Sequence, residues 1–406
     1  MRRRRALHLA SGLLAGSLAG CTALGDALTG PRRYERDAPV DSRSVGPWPT
    51  LGHDARRSGY APDVSGPPAD ASVSSVVDAG LYPEMQPVLA ADTLYYGANR
   101  RDADGSSSRG PFSGFVATGF DGTERWTVAE SKGLATPTVV GDAVFTTSAG
   151  NTRALDRRDG SLCWQYDVGY GSPGASPTVL DGTVYVTDGE VTALDARTGE
   201  RRWVAEVNTA SPQGTAATPD LVAATSGSGG EGGAYGIDPA DGTLLWNAGA
   251  VGESYAPPVI GDGRVFVVTT DGTLHALDSA DGSPVWRHEL RRSAYERVTV
   301  AEEMVYVKGT NDRTLFALDT VDGTERWSVE FDAGAPRLVP TVAADRVYVA
   351  EGVDHGAVSV LDAATGDRLN RYDLPSAPTT GPVVGDGFAV VGTGRHSSEG
   401  RLVVLS

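Results

Sequence analysis

One phrase of eleven residues recurs along this chain and limits what the chain can fold into. It reads Ala-Leu-Asp, then a turn that contains glycine, then Trp, as in ALDSADGSPVW at 276–286. With 52 glycines and 24 prolines, tight turns are frequent and long helices are disfavoured. The copies recur every 38 to 43 residues and end in Trp126, Trp164, Trp203, Trp246, Trp286 and Trp327. A period of about 40 in an all-β chain predicts a β-propeller with one four-stranded antiparallel blade per repeat.

The number of blades follows from a second pattern, in which a tight turn connects a short strand to a strand rich in Val and Tyr. Eight such pairs occur, at 87–97, 137–147, 177–187, 218–226, 257–269, 298–309, 340–352 and 381–394. After the eighth pair, RLVVLS supplies a third strand but no fourth. Residues 71–80 stand before the first pair in the place of a fourth strand, so we predict that they complete the last blade and leave no open sheet edge. The prediction is an eight-bladed propeller; seven blades with an irregular N-terminal segment is the alternative.

The spacing A-L-D-x-x-x-G-x-x-x-W resembles the tryptophan-docking motif of the quinoprotein-like propellers built from PQQ repeats. The resemblance implies that each of the six tryptophans docks between the motif Ala and a Gly peptide of a neighbouring blade. The motif Asp stands before a turn, where it can accept backbone N–H groups, so we interpret it as structural rather than catalytic. Two copies depart from the motif: residues 116–126 lack Ala-Leu-Asp, and Asn370 replaces the seventh Trp. We expect weaker blade contacts there, near the closure of the ring.

The N-terminus predicts export. Four arginines precede a short apolar run that ends in Leu18-Ala19-Gly20-Cys21, which resembles a lipoprotein lipobox. We predict a signal peptide at 1–20, a flexible tether at 21–46 that begins at lipidated Cys21, and the propeller at 47–406. Lipid on Cys21 leaves Cys163 without a partner for a disulfide, since the chain has only two cysteines. A plain membrane anchor or a cleaved secretory signal remains as an alternative, and the export route, twin-arginine or general, stays open.

The charge of the chain argues against a nucleic-acid partner. The formal net charge is −17, and Lys132 and Lys308 are the only lysines. An acidic surface of this kind stays hydrated in high salt and repels phosphate backbones, which is typical of a halophilic protein. An acidic face built for a basic partner is the other interpretation.

The sequence gives little support for catalysis. The quinoprotein dehydrogenases belong to the family that this chain resembles. They use an adjacent cysteine pair and a Ca²⁺ ion held by Glu and Asn side chains, and this chain has no adjacent cysteines. Asp102 and Asp104 begin a pattern like a Ca²⁺ loop, but the later acidic ligand is missing. No two histidines stand at metal-ligand spacing. We therefore predict neither PQQ nor Ca²⁺ as a cofactor, no metal site and no enzyme activity.

The loops that break the repeat predict a binding face. The connections from fourth to first strands and from second to third strands share one face, and those at 99–113, 226–233, 352–356 and 394–400 are long or polar. Aromatic and charged residues mixed in this way are typical of binding surfaces. The candidate residues are Tyr82, Glu84, Tyr170, Glu253, Tyr255, Tyr295, Glu296, Arg337, His355, Arg395 and His396.

Together these features predict a monomeric, non-catalytic lipoprotein scaffold, anchored at the outer face of the cytoplasmic membrane, that binds a protein partner. The lipobox, size and repeat also resemble the BamB-like group, which scaffolds outer-membrane protein assembly. If the acidic composition indicates a cell without an outer membrane, only the scaffold role carries over. The alternative is an enzyme or sensor, PQQ-dependent or otherwise, that binds a small ligand at the mouth of the propeller channel.

Overall fold

The computed structural model describes residues 32–33, 48–78, 81–83, 85–100, 112–130, 134–148, 150–167, 175–187, 189–209, 214–227, 232–290, 296–309, 313–332, 339–352, 355–394 and 400–406. Regular structure in these ranges is β-strand, apart from one 3-10 turn at Gly249–Val251. Four short strands precede the first blade: β1 (Arg32–Arg33), β2 (Tyr60–Ala61), β3 (Val73–Asp78) and β4 (Leu81–Pro83). Of the predicted tether, only β1 is described, and it pairs with the outer strand of the second blade.

Together with β3, the remaining strands form eight antiparallel blades, and in blades 1 to 7 the strands run in chain order from the centre of the ring to its rim. Blade 1 contains β5 (Val88–Ala90), β6 (Thr93–Arg100), β7 (Phe112–Gly119) and β8 (Glu124–Ala129). Blade 2 contains β9 (Thr138–Val140), β10 (Ala143–Ser148), β11 (Asn151–Asp156) and β12 (Leu162–Asp167). Blade 3 contains β13 (Thr178–Leu180), β14 (Thr183–Thr187), β15 (Gly189–Asp195) and β16 (Arg201–Thr209). Blade 4 contains β17 (Thr215–Thr218), β18 (Leu221–Thr225), β19 (Ala234–Ile237) and β20 (Leu244–Ala248).

The second half of the ring repeats this order. Blade 5 contains β21 (Val259–Gly261), β22 (Arg264–Val268), β23 (Thr273–Asp278) and β24 (Pro284–Glu289). Blade 6 contains β25 (Thr299–Ala301), β26 (Met304–Lys308), β27 (Thr314–Asp319) and β28 (Glu325–Glu330). Blade 7 contains β29 (Thr341–Ala343), β30 (Arg346–Glu351), β31 (Gly356–Asp362) and β32 (Arg368–Leu374). Blade 8 contains β33 (Val383–Gly385), β34 (Phe388–Thr393) and β35 (Arg401–Leu405), and β3 is its fourth strand.

The ring closes through blade 8, which combines strands from the two ends of the propeller sequence. β3 pairs antiparallel with β35, with Val73 opposite Leu405. Beyond them, the backbones of Ser72 and Ser406 exchange hydrogen bonds of 2.8 and 3.1 Å. The innermost strands contact one another all round the ring, and β33 of blade 8 lies beside β5 of blade 1. The prediction of eight blades closed by an N-terminal strand is confirmed, and the seven-bladed alternative is wrong.

Each motif tryptophan joins its blade to the next one. Within its own blade it is paired with a small residue, Ala in five blades and Gly236 opposite Trp246. The ring also lies against the turn glycine of the following blade, where an added Cβ would come within 2.6 to 2.9 Å of an indole carbon. The indole N–H donates to a carbonyl of that turn at 2.9 to 3.0 Å: Trp126 to Arg157, Trp164 to Ala196, Trp203 to Pro239, Trp246 to Ser279, Trp286 to Thr320 and Trp327 to Ala363.

The motif aspartates fold the turns on which the tryptophans dock. In each case Oδ1 accepts the backbone N–H two residues further on, at 2.8 to 3.0 Å. The glycine that follows has a φ of +70 to +81°, a conformation that glycine adopts at low cost. The predicted hydrogen bonds from the turn to the motif carboxylate are present at Asp156, Asp195, Asp238, Asp278, Asp319 and Asp362.

The closure of the ring is well packed, in contrast to the expectation from the irregular repeats. One apolar cluster spans blades 7, 8 and 1 and includes Trp48, Tyr96 and Tyr348, all almost completely buried. Phe120 of blade 1 packs edge to face on Phe388 of blade 8, with 4.9 Å between ring centroids. The apolar contacts of these blades therefore replace the tryptophan contact that the seventh repeat lacks.

Candidate functional site

Residues 48–66, which we call the channel segment, lie at the centre of the ring and contact the blades in turn. Their backbone bonds to the innermost strands of six blades and to the β33–β34 turn of blade 8, and the Arg57 side chain reaches the remaining one, blade 3. β2 within the segment pairs parallel to β29. The backbone partners are Trp48 with Leu89, Pro49 with Val139, Ala55 with Ala217, Arg56 with Ile260, Ser58 with Val300, Gly59 with Val342, and Gly66 with Asp386. The chain therefore lines the inner edge of its own ring.

The channel segment follows a tightly turned path. Five of its residues have a positive φ, between +62 and +73°: Gly52, His53, Arg57, Gly59 and Gly66. This conformation is uncommon for His and Arg, and it persists here because the surrounding strands fix the backbone through hydrogen bonds. The sequence of this segment indicates no role, since it lacks both the repeat and the alternation of a strand.

Arg57 is completely buried at the centre of the ring and connects three parts of it. Its Nη2 donates to the Ser176 carbonyl at 2.8 Å and to Thr178 Oγ1 at 2.9 Å, and its Nε donates to the Thr215 carbonyl at 3.1 Å. Its Nη1 donates to the Leu51 carbonyl at 3.0 Å. Burial, together with the positive charge of Arg297, lowers the pKa of Arg57 to about 9. The guanidinium thus joins blades 3 and 4 to the channel segment through neutral acceptors.

Arg297 enters the same region from blade 6, just before β25, and is 5% exposed. Its Nη1 donates to the carbonyls of Arg57 and Val298 at 3.2 and 3.3 Å. Its Nε and Nη2 have no hydrogen-bond partner in the described part of the chain. Burial lowers the pKa of Arg297 to about 10, and the Asp54 carboxylate acts in the opposite direction. The charges of two buried guanidinium groups therefore act on each other at the centre of the ring, and Arg297 presents a free edge.

His53 and Trp48 form an aromatic contact within the channel segment. Their ring centroids are 5.1 Å apart and the rings meet edge to face. Burial lowers the pKa of His53, and the positive charge of Arg56 adds to this effect, whereas Asp54 and Asp63 oppose it. His53 Nδ1 and Trp48 Nε1 have no hydrogen-bond partner among the residues the structure describes.

Only part of the predicted binding face falls within the described residues. Glu253, Tyr255 and Glu296 are partly buried, and His355 is exposed. The loops at 226–233 and 252–256 meet, because Ser254 N–H donates to the Ser226 carbonyl at 2.9 Å and the Tyr255 ring packs against Gly227. For Tyr82 the structure describes the backbone, in β4. Outside the described residues lie Glu84, Tyr170, Tyr295, Arg337, Arg395, His396, Asp102 and Asp104.

A groove of about 950 Å³ lies between blades 6 and 7, on the face opposite to the predicted one. Its walls are the hairpin turns of both blades, and five carboxylates against one arginine make it acidic. Arg326 forms an ion pair with Asp319 and holds the pKa of that carboxyl below its usual range. Tyr60 of the channel segment donates its hydroxyl to Glu302 at 3.1 Å. We call this surface the acidic groove; its charged residues are Glu302, Glu303, Asp319, Arg326, Asp345 and Asp362.

The acidic groove was not predicted from the sequence, because the departures from the repeat lie in the irregular loops of the other face. The turns that line the groove are the regular ones, and their carboxylates were interpreted one blade at a time. The usable signal was the acidic pair Glu302-Glu303 at the β25–β26 turn. At the same turn, blades 2, 3, 5 and 8 have Gly-Asp or Asp-Gly, and blades 1, 4 and 7 have Ala-Asp or Pro-Asp.

Three further observations concern chemistry and the membrane. Among the described residues, no group of three or more His, Cys, Asp and Glu side chains could hold a metal ion. In the same ranges, no helix has the length and apolar character needed to cross a membrane. Cys163, next to Trp164, is half-buried.

Eight four-stranded blades joined by docked tryptophans define a propeller of the PQQ-repeat type. The sequence matches the family described as outer membrane protein assembly factor BamB over residues 107–230 and 230–403, and the chain belongs to that family. The BamB of Burkholderia pseudomallei is 28% identical over 206 residues, which are 50% of this chain and 42% of that protein. The match thus spans less than half the length of this curated relative.

Solved structures share the fold at low sequence identity. BamB from Moraxella catarrhalis superposes with a TM-score of 0.60 at 18% identity, covering 82% of this chain and 97% of that chain. Quinohemoprotein alcohol dehydrogenase from Comamonas testosteroni superposes with a TM-score of 0.69 at 13% identity, covering 88% and 80%. The same architecture therefore occurs in an assembly factor and in an enzyme, and the fold alone does not choose between them.

Proposed function

We propose that this protein is a non-catalytic scaffold outside the cytoplasm that binds a protein partner through the surface of its propeller. Membership of the BamB family supports the proposal, because the curated relative is named as an outer membrane protein assembly factor. The lipobox-like end at Cys21 supports attachment by lipid. The choice of the outer face of the cytoplasmic membrane rests on the acidic, lysine-poor composition, which is typical of halophilic cells.

The observation that carries the proposal is the channel segment. An enzyme or sensor that used the propeller channel would need that channel open to a small ligand, whereas here residues 48–66 contact the blades around the channel axis. The acidic groove remains as a concave outer surface of about 950 Å³, open to an extended segment of a partner. Its charge suits a basic segment, and desolvated rim carboxylates would favour that segment over an acidic one.

A photo-cross-linking experiment tests the scaffold role. The full chain is expressed in its own cell type with a photoreactive residue at Glu303, beside the acidic groove, or at His355 on the other face. We expect one defined protein to be cross-linked from one of these positions, and charge reversal by Glu302→Arg with Asp345→Arg to remove the Glu303 product. A photoreactive residue at Leu245, exposed on the rim of blade 4, is the matched control position. Failure to recover a defined partner from either face would contradict the proposal.

The enzyme alternative has a direct test as well. The purified chain is incubated with PQQ and Ca²⁺, and oxidation of alcohols and aldoses is measured with an artificial electron acceptor. Because the chain has no adjacent cysteine pair, we expect neither stoichiometric uptake of the quinone nor turnover. Uptake of one quinone per chain with turnover would overturn the scaffold proposal.

A further inference from the structure

We propose that the centre of the ring holds a binding site for one small oxyanion, a phosphate or a carboxylate, on the free edge of the Arg297 guanidinium. This inference concerns the interior of the propeller and does not depend on the scaffold role. It rests on the position of two buried arginines and on the donors that one of them leaves unused.

The guanidinium of Arg297 is held in one orientation. Nη1 is fixed by the carbonyls of Arg57 and Val298. Two glycines of the channel segment pack closely on the group: a Cβ at Gly52 would lie 3.0 Å from Cζ, and one at Gly59 would lie 3.1 Å from Nη1. Nε and Nη2, which donate from the same edge of the planar group, are left without a partner in the described residues. That edge matches two oxygens of one carboxylate or phosphate.

The charge balance of the region favours an anion over water alone. Arg57 lies beside Arg297 and uses its donors on neutral acceptors of blades 3 and 4 and of the channel segment. Asp54 is the carboxylate whose charge acts on both guanidinium groups, but its oxygens accept from Ser58 and from Arg56. Within the described ranges, neither buried arginine has a carboxylate within 4.0 Å of its nitrogens. An unpaired buried charge is costly, and a bound anion removes that cost while satisfying Nε and Nη2.

The roles of the two arginines differ. Arg297 supplies two hydrogen bonds, and Arg57 supplies positive charge without a free donor. Water can accept from Nε and Nη2 but leaves the charge uncompensated, and chloride compensates the charge but offers no pair of oxygens. We therefore expect oxyanions to bind more tightly than chloride.

Titration calorimetry of the full chain tests the site. Inorganic phosphate is titrated in one arm, acetate in a second and chloride in a third, at matched ionic strength. We expect saturable binding of one phosphate or one acetate per chain, and the tighter of the two identifies the class of ligand. The absence of saturable binding in both oxyanion arms, or equal binding in the chloride arm, would overturn the proposal.

Variants assign the site to Arg297. Arg297→Lys keeps the charge but loses the paired donors, and we expect the affinity for the bound oxyanion to fall by about tenfold or more. Arg264→Lys is the matched control, because Arg264 Nε also has no partner but lies beside Asp278 at 3.6 Å on blade 5. Its binding should be unchanged. Equal loss in both variants would contradict the assignment.

A crystal soaked in selenate keeps the proposal testable if Arg297→Lys does not fold. We expect an anomalous peak within hydrogen-bond distance of Arg297 Nε and Nη2. Selenate found only elsewhere, or not at all, would exclude the site.

Discussion

Asn370 donates its side-chain amide to the carbonyl oxygen of Ala69 at 2.7 Å. Asn370 is in β32 and stands opposite Val360 of β31, at the position that Trp occupies in six other blades. Two residues further on, the Tyr372 hydroxyl donates to the Pro68 carbonyl at 2.6 Å. In the other blades the indole at this position packs on a turn of the next blade. In blade 7, residues 68–69, which lead into β3, take the place of that turn, and two side-chain hydrogen bonds join blade 7 to them.

Introducing Trp at position 370 should not stabilise the junction as the other six tryptophans stabilise theirs. In Asn370→Trp, the indole would lie against residues 68–69 and the Ala69 carbonyl would lose its donor. We expect a loss of stability at least as large as in Asn370→Ala, which should cost about 1 kcal/mol as one hydrogen bond. Denaturant unfolding measures both. An Asn370→Trp chain more stable than wild type would contradict this account of the junction.

A docked tryptophan should contribute much more than its hydrogen bond. Trp164 is 1% exposed, and its removal in Trp164→Ala would leave a cavity between blades 2 and 3 that costs about 3 to 5 kcal/mol. Trp164→Phe keeps an aromatic ring but loses the hydrogen bond to the Ala196 carbonyl, so its loss should be clearly smaller. Equal losses in equilibrium unfolding would show that the buried area is not the main contribution.

Arg57 and Arg56 are neighbours in the sequence and should respond very differently to the same substitution. Arg57→Met leaves the Ser176 and Leu51 carbonyls without this donor in a buried place, and we expect a loss of about 3 kcal/mol. Arg56→Met removes a half-exposed ion pair with Asp54 and should change stability by no more than about 1 kcal/mol. Similar unfolding midpoints for the two variants would refute the central role of Arg57.

His53 should make the chain less stable in mild acid. Burial lowers its pKa below the ordinary value of 6.5, so the folded chain binds fewer protons than the unfolded chain below about pH 6.5. The contribution of His53 is complete above that pH and is lost as the pH falls through the lowered pKa. His275 and His288 act in the same direction, since burial lowers their pKa as well.

The measurement is the free energy of unfolding between pH 7.5 and 5.5. We expect it to decrease as the pH falls, and His53→Gln to make the decrease smaller. A slope that is the same in His53→Gln and in wild type would contradict the assignment.

The architecture was predictable because its determinants are local and repeated. The turn Asp, the turn Gly and the Trp of one repeat lie within eleven residues, and the eight copies of the strand pair could be counted. Even the closure of blade 8 followed from a count, since one strand was missing at one end and one was spare at the other.

The centre of the ring was not predictable in this way. Arg56 and Arg57 are adjacent residues of the same type. Only the surrounding blades make Arg56 half-exposed and Arg57 completely buried. The partners of Arg57 in blades 3 and 4 lie 119 to 158 positions away, so no local pattern indicates them. The acidic groove likewise forms between the turns of blades 6 and 7, and no pattern in the sequence indicates that these turns lie side by side.

The position of β3 has a consequence for the order in which the protein folds. Residues 48–78 are made before any blade, yet the channel segment needs all eight blades around it and β3 needs β35. A nascent chain therefore cannot complete its ring until residue 405 has been synthesised. Until then, residues 48–78 lack some of their partners, because only part of the ring has been synthesised. Contacts that span almost the whole chain are slow to form, so this step is expected to limit the rate at which the protein folds.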